Sequence, residues 1–555
     1  MTTYYGNYGS EKYPLAVQIW GHRLRSGQHW IEYMLEFLSV MSGFGYQLGQ
    51  GLPQRAHEPD YLPQYRVPRR LGLRRFVFYD EREKTRDTRD TRATDELRRR
   101  VGGIINGAAS PASDPLIEQV RSLLRSFSAV ESDRSWYAKS LFPVHEEFLL
   151  WEGQRKGATR NPYPHAAEQL AEAELDDGVE FSTRNFFARG GELYYLILSA
   201  GTEGRPEQRD FIGSRLRALL TQQNQSLGRI ARTIDTLWSE RGAAEGYIHG
   251  TLGWIPDPEC ALYRQIADDL ATFLDNDLES LECLELLAHL IGFHIISYIY
   301  HRANEASHSE GHCSGSCLDA CRPTLLVDLL GQQDGGVVRD RSARLLRDQD
   351  DRQRRQARSL VNEKVRAWAA SSPRLDAIDD TIEDEADAFF QMGHTRARGS
   401  YTKAIGELRT RYSSAAPGDD RRVQGYSDAI FNALESEFSK NFLGVHRKLG
   451  KAIGLIAPRT GQQMRFVLGD TLLKTLMMAA LPRGTKLGFG VFLERLYCRY
   501  GIVVGPGEAK EAGLIERLRI NEAYYASNRQ ALLVRMKAAG LVTEYSDATA
   551  LVRRA

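Results

Sequence analysis

Cysteine is scarce in this sequence: six in 555 residues, half of them (Cys313, Cys317 and Cys321) within one short stretch. So few thiols in so long a chain exclude a disulfide scaffold. Cys260, Cys283 and Cys498 each sit in an apolar helical pattern and are expected as buried, reduced thiols. Excess charge is lacking too. With 73 basic and 72 acidic residues the net charge is +1, so no chain-wide positive field draws nucleic acid, and any such contact must come from a local patch. The start "MTTYYGNYGSEKYPLAVQIW" has neither the basic residues nor the apolar run of a signal peptide, and no apolar stretch of bilayer length stands out. A cytoplasmic protein with no membrane contact is the expectation.

Several reaction signatures are missing as well. There is no G-x-x-x-x-G-K-[ST] phosphate loop, since "LPRGTKLGFG" has the wrong spacing, and no H-E-x-x-H, G-x-S-x-G or strand-bound G-x-G-x-x-G. "GPGEAKEAG" reads as a loop leading into a helix. The acidic run "EDEADAFF" carries carboxylates that reach a divalent ion only if they converge in space, and such runs are ordinarily solvated faces. The catalytic residues, if there are any, stay unknown at this level.

What is present is helix. Trp30, Tyr33, Met34, Phe37, Leu38 and Met41 recur at three- and four-residue spacings, the pattern of an amphipathic helix. "RRFVFYD" reads as a short strand, and "DEREKTRDTRDTRATDELRRR" as an exposed loop or solvated helix. The segment from Pro115 to Trp151 is helical in pattern, interrupted by Pro143. "ARGGELYYLILSAG" fits a buried strand or helix equally well. Long helices are expected over 211–240 and 261–304, the second apolar on most faces and therefore central. A charged helix with a narrow stripe through Leu345, Leu346, Leu360, Val361 and Val365 follows. The expected organisation is mainly α and multidomain: a helical region with a charged loop over 1–100, a helical core over 101–330, a charged helical region over 331–458, and a separate unit over 459–555.

The stretch "HSEGHCSGSCLDACRP" gathers His312, Cys313, Cys317 and Cys321, with His308 as an alternative nitrogen donor. Four such ligands suit tetrahedral zinc, and a site filled by all four leaves no position for water or substrate, which makes a structural ion the expectation. The alternatives are an iron–sulfur cluster or a plain cysteine-bearing loop, because the spacing departs from paired C-x2-C knuckles. His294 and His301 lie seven apart on the apolar helix, close enough in sequence to approach this cluster. A histidine on such a face is more often a hydrogen-bonded core residue.

The last hundred residues run as several short helices followed by two strand-like segments. "NRQALLVRMKAAGLVTEYSDATALV" is similar to the end of winged-helix domains, with Leu532, Leu533 and Met536 facing the core and Gly540 ending the helix. That likeness implies DNA contact through Arg529, Arg535, Lys537, Arg553 and Arg554, as phosphate neutralisers more than base readers. A protein-only contact surface is the alternative. Together with "SLFPVHEEFLLWEGQRKG" and "NFFARGGELYYLILSAG", the tail resembles the large accessory subunits of bacterial anti-phage systems, of the methylation-associated or phosphorothioation-dependent kind. The resemblance implies a non-catalytic scaffold that binds an ATPase, helicase or methyltransferase partner and double-stranded DNA. A nuclease with an unrecognised acidic site and a winged-helix transcriptional regulator are the competing readings.

Overall fold

The computed structural model describes residues 19–21, 24, 26–49, 64–68, 70–79, 88–106, 111–130, 134, 136–151, 154–155, 179–180, 190–238, 247–251, 255, 260–305, 321–332, 336–371, 420–458, 463–545 and 549–554, with a few positions between 403 and 411. They form a mainly helical protein. Helix α1 (Trp30–Gly43) buries Tyr33, Met34, Phe37, Leu38 and Met41, as their spacing predicts. Its N-terminus is closed by a capping box: the His29 ring accepts from the Ile31 N–H, and Glu32 accepts the His29 N–H at 2.7 Å.

Strand β1 (Gln64–Pro68) leads into α2 (Leu71–Phe78), which is the segment expected as a strand. Leu73, Phe76 and Val77 form one face at helical spacing and are buried. Tertiary packing of that face overrides the strand preference of a Phe/Val-rich stretch. The repetitive charged tract is α3 (Thr88–Asn106), solvated on most sides but anchored by Ala93 and Leu97. Pairs such as Arg100 with Glu96, one turn apart, lace its outer face.

Helix α4 (Asp114–Arg125) confirms only the first half of the expected helical segment. After it come β2 (Ser128–Val130) and β3 (Ser140–Leu141), paired antiparallel, and two short 3-10 turns. The pattern around Pro143 is therefore a folded-back ribbon and not helix, with Leu141, Val144, Phe148 and Leu150 pointing into a small core.

The undecided apolar run is a helix, α5 (Gly190–Gly201), buried along its whole length. Glycine makes this position possible. A Cβ on Gly191 would lie 2.3 Å from the Phe37 backbone nitrogen, and one on Gly201 would lie 2.1 Å from the Tyr263 carbonyl oxygen. The expected helix at 211–240 is two, α6 (Pro206–Thr221) and α7 (Gln225–Trp238), broken where Asn224 adopts a positive φ of 51°. Strand β4 (Tyr247–Thr251) pairs antiparallel with β1. The helix expected at 261–304 is likewise two, α8 (Ala261–Leu274) and α9 (Ser280–Glu305).

Helix α9 is the axis of the molecule. It is long and apolar enough to cross a bilayer, contrary to the sequence expectation, but 89% of its apolar window is buried inside the protein, against α1, α8 and several later helices. Strand β5 (Leu325–Leu326) follows, then the charged helix α10 (Val337–Ser371), which buries Leu345, Leu346, Leu360 and Val361. Next come α11 (Asp420–Glu437), α12 (Leu443–Ala452) and the short pair β6 (Ile456–Ala457) and β7 (Arg465–Phe466).

The chain ends with α13 (Asp470–Ala480), β8 (Lys486–Gly488), α14 (Phe489–Tyr500), β9 (Ile502–Val503), α15 (Pro506–Glu511), α16 (Leu514–Leu518), α17 (Glu522–Ala538), β10 (Val542–Tyr545) and β11 (Thr549–Arg553). Strands β8, β11 and β10 make an antiparallel sheet in that spatial order. Helix α17 stops in a Schellman motif: the Leu541 N–H donates to the Met536 carbonyl, the Gly540 N–H to that of Lys537, and Gly540 takes a φ of 69°.

One large core extends from Ile19 to Val552 and draws side chains from all four expected segments; a smaller one gathers α2, α3, α4 and α7. The tail is keyed into this large core. Strand β9 pairs parallel with β5, and Asn528 on α17, fully buried, donates to the carbonyls of Val327 and Val504 and accepts from the Leu329 N–H.

Candidate functional site

Two buried polar chains flank α9, and they use the same four residue types. In the first, the Tyr194 hydroxyl on α5 meets His294 Nδ1 at 2.9 Å, and His294 Nε2 lies 3.4 Å from Asp269 Oδ2 on α8. Arg499 on α14 donates from Nε to Asp269 Oδ1 at 2.9 Å. In the second, the Tyr300 hydroxyl on α9 meets His446 Nδ1 at 3.0 Å, and His446 Nε2 lies 2.9 Å from Asp350 Oδ1 on α10. Arg447 donates to the other carboxylate oxygen, Oδ2, at 2.6 Å. Because a carboxylate only accepts, Nε2 of His446 carries the proton, and in the neutral ring Nδ1 accepts from the tyrosine.

The electrostatics follow from burial and charge. Burial, followed by the neighbouring Asp269 carboxylate, holds the Tyr194 hydroxyl well above the ordinary phenol range; burial and Asp350 do the same at Tyr300. Burial alone would raise the Asp350 carboxyl, but the His446 hydrogen bond and the Arg447 cation bring it below the usual range. Burial pulls the Arg499 guanidinium down, and Asp269 beside it outweighs that and raises it. None of these residues was singled out from sequence except His294. The available signal was a charged residue at a core position of an apolar helix, as with Asp269, which lies between the buried Ile266 and Phe273.

A cavity of ≈ 20 Å³ opens beside the first chain, lined among others by Gln265, His294, His301, Arg322 and Arg499. It has room for about one water molecule. His301 faces it together with His294, so the two histidines share a face of α9, as their spacing implies. Each is a buried residue with a polar contact: His301 Nε2 lies 3.2 Å from Cys260 Sγ.

Of the expected zinc ligands, His312, Cys313 and Cys317 lie outside the described residues, as does the acidic run. Cys321 is fully buried, and its carbonyl accepts from Asn304 Nδ2 at 2.9 Å near the end of α9. Among the described residues no group of three or more His, Cys, Asp or Glu side chains is placed to hold a metal ion. Cys260 and Cys283 are buried and in no disulfide, as expected, whereas Cys498 is exposed, because α14 turns that side of its helix to solvent.

The expected basic contacts of the tail separate into three kinds. Arg529 and Arg553 are exposed. Arg535 and Lys537 form ion pairs with Asp470 and Glu544. Arg554 departs from the expectation: it is 2% exposed, and its guanidinium donates to the carbonyls of Thr272, Asp275 and Leu481 and to Asn276 Oδ1. Thr272, Asp275 and Asn276 lie at the C-terminal end of α8 and Leu481 is the C-cap of α13, places where backbone carbonyls lack helical partners. Arg554 thus closes a helix end and is withdrawn from any surface.

No protein-family profile matches the chain, and no curated protein or solved structure matches it either.

Proposed function

We propose that the protein is an interaction subunit that reaches double-stranded DNA through a winged-helix-like C-terminal unit. The observation that carries this reading is the connectivity: helix, strand, helix, further helices, then a hairpin, with the sheet ordered β8, β11, β10. Winged-helix domains use that order to set a helix and a hairpin against the duplex. The extra turns α15 and α16 depart from a three-helix pattern. Helix α17 buries Tyr525, Asn528, Leu532 and Met536 against the body, which leaves Ser527, Arg529, Gln530 and Lys537 outward.

Arg529 and Arg553 are the principal phosphate contacts. Arg535 and Lys537 take part by exchanging their surface ion pairs, each worth about 0–1 kcal/mol, for phosphate. The test is duplex binding by fluorescence anisotropy over about 50 to 200 mM salt. Arg529→Ala with Arg553→Ala should weaken binding and reduce the slope of log K against log salt by about 1.8. Unchanged affinity and slope in the double variant would reject the DNA reading.

A second reading, a surface for a partner protein, is favoured by Val491, Val534 and Tyr545, which are 51%, 56% and 53% exposed on α14, α17 and β10. Both readings fit an accessory subunit of a bacterial anti-phage complex whose partners are an ATPase, helicase or methyltransferase, as the resemblance of the tail and the two earlier stretches implies. A structural zinc held by His312, Cys313, Cys317 and Cys321 belongs to the same proposal.

A further inference from the structure

Helix α10 carries arginines of two kinds. Arg354 and Arg358 pair with Glu435 and Asp428 and tie α10 to α11. Arg341, Arg344, Arg352 and Arg355 fall with Asp348 at spacings of three and four residues and so share one face of the helix. Among the described residues, none of these four side chains forms a hydrogen bond or an ion pair. Arg517 of α16 joins them, 3.6 Å from Asp348. Burial, followed by the Arg355 and Arg517 cations beside it, pulls the Arg352 guanidinium below its ordinary value, which marks three like charges held together. The exposed Asp340 and Asp351 border the row and form no ion pair with its arginines.

We infer that this face of α10, together with Arg517, is a second contact surface for the phosphate backbone of double-stranded DNA. The inference rests on the reading of the protein as a DNA-binding subunit and adds a surface outside its C-terminal hairpin and helix. Packed like charges repel one another, and a bound polyanion relieves that cost. From Arg341 to Arg355 the row covers about 21 Å at about 1.5 Å per residue, the length of about six base pairs at about 3.4 Å each. One small anion would engage only part of such a row. The planar guanidinium fork also matches two phosphate oxygens at once. The row is continuous with the surface proposed above: α10 packs beside α17, and the Arg341 cation acts on Tyr525, one turn before the outward Arg529. A duplex lying along both helices would meet Arg529 and the α10 row together.

The experiment is binding of a mixed-sequence duplex by the full chain over about 50 to 200 mM salt. Arg352→Ala with Arg355→Ala should weaken binding and reduce the slope of log K against log salt by about 1.8. Arg125→Ala with Arg229→Ala removes the same charge from exposed positions on α4 and α7 and should leave the slope unchanged; an equal reduction there would show an effect of net charge alone and overturn the inference. Arg352→Lys with Arg355→Lys guards against a variant that merely misfolds. It keeps both charges and should keep the wild-type slope, whereas a slope lowered as in the alanine pair would mark lost structure and reject the surface. An unchanged slope in the alanine pair, beside a reduced one in Arg529→Ala with Arg553→Ala, overturns this inference and leaves the C-terminal reading standing. The reverse result keeps the α10 surface and rejects the tail. A wild type that binds no duplex overturns both.

Discussion

The two buried chains beside α9 are built from the same groups and differ in how tightly they close. Around Asp350 the histidine contact is 2.9 Å, and His446 and Arg447 are consecutive on one helix. Around Asp269 the contact is 3.4 Å, and the four members come from α5, α8, α9 and α14. The first arrangement is the tighter, with both donors on α12. The second spans the molecule, sits beside a cavity and binds the C-terminal region to the core. A buried carboxylate is retained only when enough donors converge on it; both carboxylates draw donors from helices brought together by packing, but Asp350 takes its two donors from adjacent positions on α12 whereas Asp269 takes its donors from two different helices.

Three experiments test that contrast. The largest effect is expected from removing the carboxylates. Asp269→Ala and Asp350→Ala each leave a partly buried arginine without its anion, which costs about 3 kcal/mol and lowers the unfolding midpoint. Their footprints should differ under hydrogen exchange: Asp269→Ala should deprotect α14 and the strands after it, Asp350→Ala chiefly α12. Identical footprints would mean that the two chains act as one unit.

Replacing the histidines should cost less and should be unequal. His446→Gln removes a close hydrogen bond to a charged group, about 1.5 kcal/mol, whereas His294→Gln should lose about 0.5–1 kcal/mol because its contact is longer. A larger loss at His294 would show that the longer contact closes in solution.

The smallest effect is the dependence on pH. Burial lowers His29, His145 and His289 from the ordinary 6.5. A depressed histidine contributes stability that is present above 6.5 and is lost as the pH falls through its folded value. The midpoint should therefore begin to drop as the pH goes below 6.5, while Asp350, held below the usual 3.8, contributes until the pH falls through that lower value. His289→Gln should flatten the upper part of the curve; an unchanged curve would show that His289 does not titrate with unfolding.

Much of this architecture was legible in the sequence because helical period and burial are linked position by position. Leu345, Leu346, Leu360 and Val361 of α10 and Leu532 and Met536 of α17 are buried as their spacing requires, whereas α1 is a helix as expected but is buried on all faces from Glu32 to Met41 instead of being amphipathic. The end of α17 at Gly540 was equally legible, since a glycine in the left-handed region is a local demand, and so was the strand pair that follows it. Local information failed at α2, where packing of Leu73, Phe76 and Val77 outweighs strand preference, and at 136–151, where apolar residues line a folded ribbon. It also failed at Arg554, which reads as a surface cation and is a helix cap.

By itself the sequence determined which stretches carry apolar faces at helical spacing, that α17 ends at Gly540 and which stretch concentrates cysteine, because these depend on neighbours within about a turn. Only the tertiary structure decided which charges meet. Asp269 and Arg499 are 230 positions apart, and Cys260 and His301 are 41 apart. No local pattern encodes such pairings. They exist because a buried ionisable group is stable only where the packed helices deliver its partner.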